Sequence, residues 1–160
     1  MRKILLGVFV FVAGFLMMSC NKNKQPVVDT AQIKADIQAI EDDFAKEVND
    51  GKAENVTYYA DDAVSFPNED MPLKGKKAIL DALKKDISKI PEGHRIAFTT
   101  NEVLVSSDGN QVVETASYIL TDTRDIKVRS GNFISVFEKR GDKYVCVRDI
   151  ATPDAPKAEN

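Results

Sequence analysis

The chain reads as an α+β protein: a curved antiparallel sheet of about four long strands plus a short one, packed on two or three N-terminal helices. Three observations predict this. Apolar residues recur at helical spacing before residue 90, the spacing switches to period two from residue 95, and strong turn signals divide the second half into long hairpin-connected strands. Helices first and strands after implies helices segregated to one face of an antiparallel sheet.

The first helix rests on Ile33, Ile37, Ile40, Phe44 and Val48, which form one apolar stripe over about five turns. Asp29 or Thr30 can cap its start, with Gln32 three residues after Asp29, and Gly51 suits the left-handed position after its end. A short second helix is expected over 53–59, a short strand over 63–66 and an irregular loop over 67–72. Ile79, Leu80, Leu83 and Ile87 mark a third helix over about 76–88, closed by Pro91 and Gly93. Long strands are expected over 95–105, 112–121, 128–140 and 143–151. Ser107-Asp108-Gly109-Asn110 and Gly141-Asp142 supply turns, and a loop with Asp122, Arg124 and Asp125 joins the middle pair.

The last strands carry apolar side chains on both faces. Phe133 and Phe137 oppose Ile134 and Val136, and Tyr144 and Cys146 oppose Val145 and Val147. A sheet with one wet face alternates apolar and polar instead. Helices cover one face, so a homodimer through the outer sheet face, or a C-terminal segment folded over it, is expected to cover the other.

Composition excludes several classes. The net charge is −3 and no basic stripe exists, which argues against nucleic acid. One histidine and two cysteines do not build a zinc site without several carboxylates, and none cluster at ligand spacing; no metal and no cofactor are expected. Arg2 and Lys3 precede an unbroken apolar run over residues 4–18, short for a membrane span and suited to an export signal. The run ends in Ser19-Cys20 and resembles the bacterial lipoprotein signal, in which cleavage precedes an acylated cysteine. The resemblance implies a signal peptide over 1–19 and lipidation of Cys20; the polar, aperiodic stretch up to residue 29 reads as a tether with it (20–29), the domain is expected over 30–152 and a polar tail over 153–160. The protein would then be exported and lipid-anchored to a bacterial membrane, facing the periplasm or cell surface. Without its signal the chain would hold 20 basic and 25 acidic residues, a charge of −5. Cys146 would be left unpaired, buried in an apolar strand.

The segments Asn49-Asp50-Gly51-Lys52-Ala53-Glu54-Asn55-Val56, Tyr59-Ala60-Asp61-Asp62-Ala63-Val64, Leu73-Lys74-Gly75-Lys76-Lys77-Ala78-Ile79 and Gly141-Asp142-Lys143-Tyr144-Val145-Cys146 carry a second resemblance. In order and spacing they resemble the nuclear-transport-factor-2-like cone fold, in its SnoaL-like branch and the domain-of-unknown-function family 4440. The resemblance implies a cone-shaped pocket between sheet and helices, and often dimerisation through the outer sheet face. Tyr144 stands where the family usually has tryptophan. Ketosteroid isomerases share the fold, but two of their groups do not carry over. The residue before Pro67 is Phe66, where the isomerase has its carboxylate base, and Phe44 stands where it has a hydrogen-bonding tyrosine.

Fold alone leaves function open. The first reading is a small-molecule-binding or accessory domain for a small apolar ligand; the alternatives are a SnoaL-like acid–base enzyme on a small cyclic compound and a protein-interaction module. Asp149 and Tyr58 are the catalytic candidates. Tyr58, Tyr59, Phe66, Phe98 and Phe133 are the ligand-contacting candidates, since pockets are apolar with few polar groups. One of the two tyrosines is expected to point inward and the other to carry its hydroxyl at the surface. By strict alternation Asp149 faces away from Tyr144 and Cys146 unless a bulge intervenes. Asp61 and Asp62 read as a cap or turn brace, His94 as a solvated loop residue, and Lys74, Lys76, Lys77, Lys84 and Lys85 as a solvated helix face.

Overall fold

A computed structural model describes residues 27–68 and 70–155. The expected signal peptide and Cys20 lie outside the described residues. The elements are α1 (Thr30–Asn49), a 3-10 turn (Ala53–Asn55), β1 (Tyr59–Phe66), β2 (Leu73–Lys74), α2 (Lys76–Ile87), β3 (Arg95–Val105), β4 (Gln111–Thr121), β5 (Lys127–Arg140) and β6 (Lys143–Pro153). One six-stranded sheet runs in the order β2-β1-β6-β5-β4-β3, with both helices against it.

The α1 boundaries follow from local chemistry. Asp29 Oδ1 accepts the Gln32 backbone N–H at 3.0 Å, satisfying one orphan amide of the first turn. Gly51 sits at φ 73°, beyond the last turn. The buried stripe is Ile37, Glu41, Ala45 and Val48, so a glutamate occupies a core position. α1 lies along β3, the edge strand. Asn49 donates to the Ile96 carbonyl at 2.9 Å and accepts the Ile96 N–H at 2.8 Å; Gln38 accepts the Thr100 N–H at 2.8 Å. Lys34 adds a bond to the Asn101 carbonyl at 2.6 Å. Side chains of one helix thus pair backbone groups that an edge strand would otherwise leave open.

Three expectations need correction. The short helix over 53–59 is only a 3-10 turn over its first three residues. The β-branched and aromatic run Val56-Thr57-Tyr58-Tyr59 is extended instead, and the Cys146 N–H donates to the Tyr58 carbonyl at 2.8 Å. The short strand accordingly begins at Tyr59 and has eight residues. The sheet is mixed rather than purely antiparallel, because β1 pairs β6 in parallel.

The inner face of the sheet holds the core. Phe137, Val112 and Cys146 are fully buried there, with Ile37 and Ile79 reaching down from the helices. Cys146 is the free thiol expected, inert by burial, which pushes its pKa up. The outer face leaves Leu104, Ile119, Ile134, Ile150 and Phe66 exposed by 40% or more. The described chain ends as β6, paired to β5 up to Pro153, so no described C-terminal segment covers that face.

Candidate functional site

One row of inner-face positions crosses four strands. Ser65 of β1 stands opposite Asp149 of β6, Asp149 opposite Ser135 of β5, and Ser135 opposite Glu114 of β4. Four polar residues at one level of a core face are unusual, since burying a polar group without a partner costs roughly 2–7 kcal/mol. A register shift between Val136 and Phe137 puts Asp149 in this row. Cys146 pairs with Phe137 and Arg148 with Val136, leaving Val147 as the extra residue. Tyr144, Cys146 and Asp149 therefore share the inner face, as alternation permits only across a bulge.

Groups from the helical side complete the cluster. The Tyr58 hydroxyl donates to Glu41 Oε1 at 2.7 Å and lies 2.9 Å from Ser135 Oγ. Thr100 Oγ1 donates to Glu114 Oε1 at 2.5 Å. Glu41 and Glu114 are both fully buried, and Glu41 Oε2 and Glu114 Oε2 have no other hydrogen-bond partner. Burial, then the neighbouring charge of Glu114, pushes Glu41 up to about 9. Glu41 is thus a neutral acid at pH 7 that donates its proton to Glu114. A chain of hydrogen bonds runs Ser135–Tyr58–Glu41–Glu114–Thr100, tying α1 to β5, β4 and β3.

The second half of the cluster is Tyr59 and Asp149. The Tyr59 hydroxyl donates to Asp149 Oδ2 at 3.1 Å. Asp149 Oδ1 is buried without a hydrogen-bond partner, and desolvation raises this carboxyl above its usual range. Burial also holds Tyr58 and Tyr59 far above the normal phenol range, so both stay neutral. Both tyrosine hydroxyls point inward, a correction to the expectation that one would reach the surface.

An aromatic layer separates the cluster from an apolar cavity. Phe44 stacks on Tyr58 with centroids 4.6 Å apart and on Phe98 at 5.3 Å, and Phe98 meets Phe133 edge to face at 5.7 Å. Beyond it lies a cavity of about 560 Å³, within the range of small-molecule sites. Its walls are largely apolar: Phe44, Leu83, Ile87, Ile96, Phe98 and Leu120 contribute, while Glu41, Glu114, Tyr58 and Asp149 do not line it. A groove of about 820 Å³ between α1 and the β5–β6 turn sets Asp36, Asp43 and Glu47 against Lys139 and Lys143, and Ile40, Val56, Tyr58 and Tyr144 also form its wall.

The candidate residues therefore divide. Phe98 lines the cavity and Phe133 packs behind it, while Tyr58, Tyr59 and Asp149 belong to the buried cluster. Phe66 lies on the outer face, 40% exposed and opposite Ile150, remote from both. Asp61 and Asp62 lie exposed on β1 rather than capping a turn, and Asp62 forms a two-pronged pair with Arg140 at 2.6 and 3.0 Å. His94 is half-buried, with Nδ1 unpartnered, rather than fully solvated. Tyr144 donates its hydroxyl to the Gly109 carbonyl at 2.6 Å, bracing the β3–β4 turn. Among the described residues no group of acidic, cysteine or histidine side chains could hold a metal ion. Sequence reasoning missed Glu41, Glu114, Thr100 and Ser135. The signal was present: Glu41 follows Ile37 by four and precedes Val48 by seven on the core stripe, and Glu114 stands between Val112 and Ala116 at period two.

Solved structures share this fold. A Nostoc punctiforme domain of unknown function with a cystatin-like fold superposes at TM-score 0.67, with 18% identity over 81% of this chain and 82% of that one. The chain has the cystatin-like cone fold. A cone-fold protein of Novosphingobium aromaticivorans, described as nuclear-transport-factor-2-like, matches at TM-score 0.64 and 13% identity over 80% of this chain and 86% of its own. A Catenulispora acidiphila protein solved in complex with S-DNPA matches the cone at TM-score 0.61 and 15% identity over 77% of this chain and 94% of its own. No protein-family model and no curated protein matches the sequence.

Proposed function

We propose that this chain is a small-molecule-binding domain, exported and held to a bacterial membrane by a lipid on Cys20, in the SnoaL-like branch of the cone fold. The observation that carries the binding reading is the open apolar cavity of about 560 Å³ between α1, α2 and the inner sheet face. A core that served stability alone would close such a space, since interiors pack to crystal-like density. The ligand complex of the Catenulispora acidiphila protein supports the same reading by analogy of fold. The neutral, apolar dye N-phenyl-1-naphthylamine tests it. Saturable, blue-shifted fluorescence is expected, and Leu83→Trp, which fills the cavity, should abolish it. Equal binding by the variant would refute the cavity as the site.

A second reading, an acid–base enzyme, draws on Asp149. It combines a buried carboxylate oxygen without a partner and a tyrosine beside it, and perturbed acids of this kind occur at active sites. The aromatic layer argues against it, because Asp149 does not line the cavity a substrate would occupy. A homodimer through the outer face completes the proposal. Phe66, Ile150 and Ile134 stand in one register row, and Val136, Val113 and Leu104 lie in the next, forming a continuous apolar strip.

A further inference from the structure

We propose that the cavity selects a small apolar molecule bearing one carboxylate, received at the rim by the Arg129 guanidinium and the Tyr118 hydroxyl. The inference rests on the cavity being the binding site and adds the chemical class of its occupant.

Four charged or hydroxyl-bearing side chains line the cavity: Asp86, Lys89, Tyr118 and Arg129. Two of them cancel. Lys89 Nζ pairs with Asp86 Oδ1 at 2.8 Å in an exposed ion pair, so the two charges offset one another at the rim. Arg129 is different. It stands exposed at the start of β5, and among the described residues no carboxylate pairs with it. Arg129 therefore offers a guanidinium at the cavity rim, above an apolar interior, that no direct ion pair among the described residues occupies.

Tyr118 is held beside that charge by Gly131. The two residues are register partners across β4 and β5. A Cβ on Gly131 would come within 2.5 Å of the Tyr118 ring and 2.7 Å of its hydroxyl, so the ring lies directly over the glycine backbone. Arg129, two residues before Gly131 on β5 and paired with Leu120, lines the same cavity on the same sheet face as Tyr118. Asp154, the nearby carboxylate, accepts hydrogen bonds from Ser130 and Asn132. A planar fork of guanidinium donors plus one phenol O–H matches a carboxylate, and charge-assisted bonds of this type are about twice as strong as neutral ones.

The test is calorimetric titration of the full chain with octanoate, octanol and octyltrimethylammonium, on wild type and Arg129→Gln. Octanoate should bind wild type about tenfold more tightly than octanol, the ratio expected of one charge-assisted contact. Arg129→Gln should erase that preference and leave octanol binding unchanged, with an unaltered circular dichroism spectrum. Octanol or the ammonium compound binding as tightly as octanoate would overturn the carboxylate assignment while leaving the cavity reading intact. An unchanged preference in Arg129→Gln would overturn the role of Arg129. If neither these three nor N-phenyl-1-naphthylamine binds, the cavity reading itself fails, and this inference with it.

Discussion

Glu41 and Glu114 hold one proton between them, because two adjacent buried carboxylates cannot both ionise. The consequence for stability has a definite sign. Glu41 titrates near 4.5 when unfolded and about 9 when folded, so between those values the folded state binds a proton that the unfolded state releases. Stability from this group is complete below about pH 4.5, falls as pH rises towards 9, and is flat beyond. Asp149, also raised by burial, adds a loss of the same sign above its unfolded range. Glu41→Gln keeps a donor towards Glu114 and an acceptor for Tyr58 without the ionisation. Its denaturant midpoint should gain on wild type steadily between pH 5 and pH 8.5; a constant difference over that range would show that Glu41 does not hold the proton. Gly131→Ala tests a different local constraint. Its Cβ would lie 2.4 Å from the Thr152 carbonyl oxygen, which is backbone and cannot swing away. A loss of about 1–3 kcal/mol is expected in chemical denaturation, the usual range for overpacking.

At the scale of elements, α1 is both a wall of the cavity and the cover of an open sheet edge. Removing the Asn49 amide leaves the Ile96 N–H and carbonyl to find other partners. Asn49→Ala should lower stability by about 1–3 kcal/mol and raise hydrogen exchange at Ile96. Ile37→Ala, at a fully buried position of the same helix, should cost about 2–5 kcal/mol. The ends of α1 were legible in the sequence because Asp29 and Gly51 act locally, through a cap bond and a left-handed backbone. The four long strands were legible for a similar reason: turn residues and period-two patterning are short-range signals. The parallel pairing of β1 with β6 was not, since it joins residues some 85 positions apart and depends on no local motif. The extended run from Val56 to Tyr59 escaped for the same reason, its backbone being held by Cys146 from the far end of the chain. Asp149 was placed correctly only on condition of a bulge, and a single inserted residue such as Val147 leaves no mark on composition or spacing. Glu41 and Glu114 were hidden by the rule that charged residues face water, a rule that yields here because one of two adjacent acids is neutral.

For the whole molecule, the fold separates two kinds of chemistry. The polar row and the tyrosines close into a network that joins α1 to three strands, while the apolar cavity opens at the end of the sheet where β3 and β5 begin and β4 ends. Val28 lies beside Gly109 at the opposite end, in the β3–β4 turn. β3 has 11 residues, so the two ends lie roughly 35 Å apart at about 3.3 Å per residue. The proposed lipid on Cys20 would hold this domain near a bacterial membrane. Mass spectrometry of the mature N-terminus, alongside fatty-acid labelling lost in Cys20→Ala, tests the anchor. The outer face makes its own prediction: Ile134→Lys should convert a dimer to a monomer in sedimentation velocity without changing cavity binding, and an unchanged dimer would place the contact elsewhere.

The central claim, that the cavity rather than the buried acid cluster is the working site, is tested most directly by nuclear magnetic resonance. Amide shifts should be mapped during titration with N-phenyl-1-naphthylamine. Saturable shifts centred on Leu83, Ile87, Ile96 and Leu120, unchanged in Asp149→Asn, are the predicted result. Shifts centred on Tyr59, Ser135 and Asp149 and lost in Asp149→Asn would contradict the account.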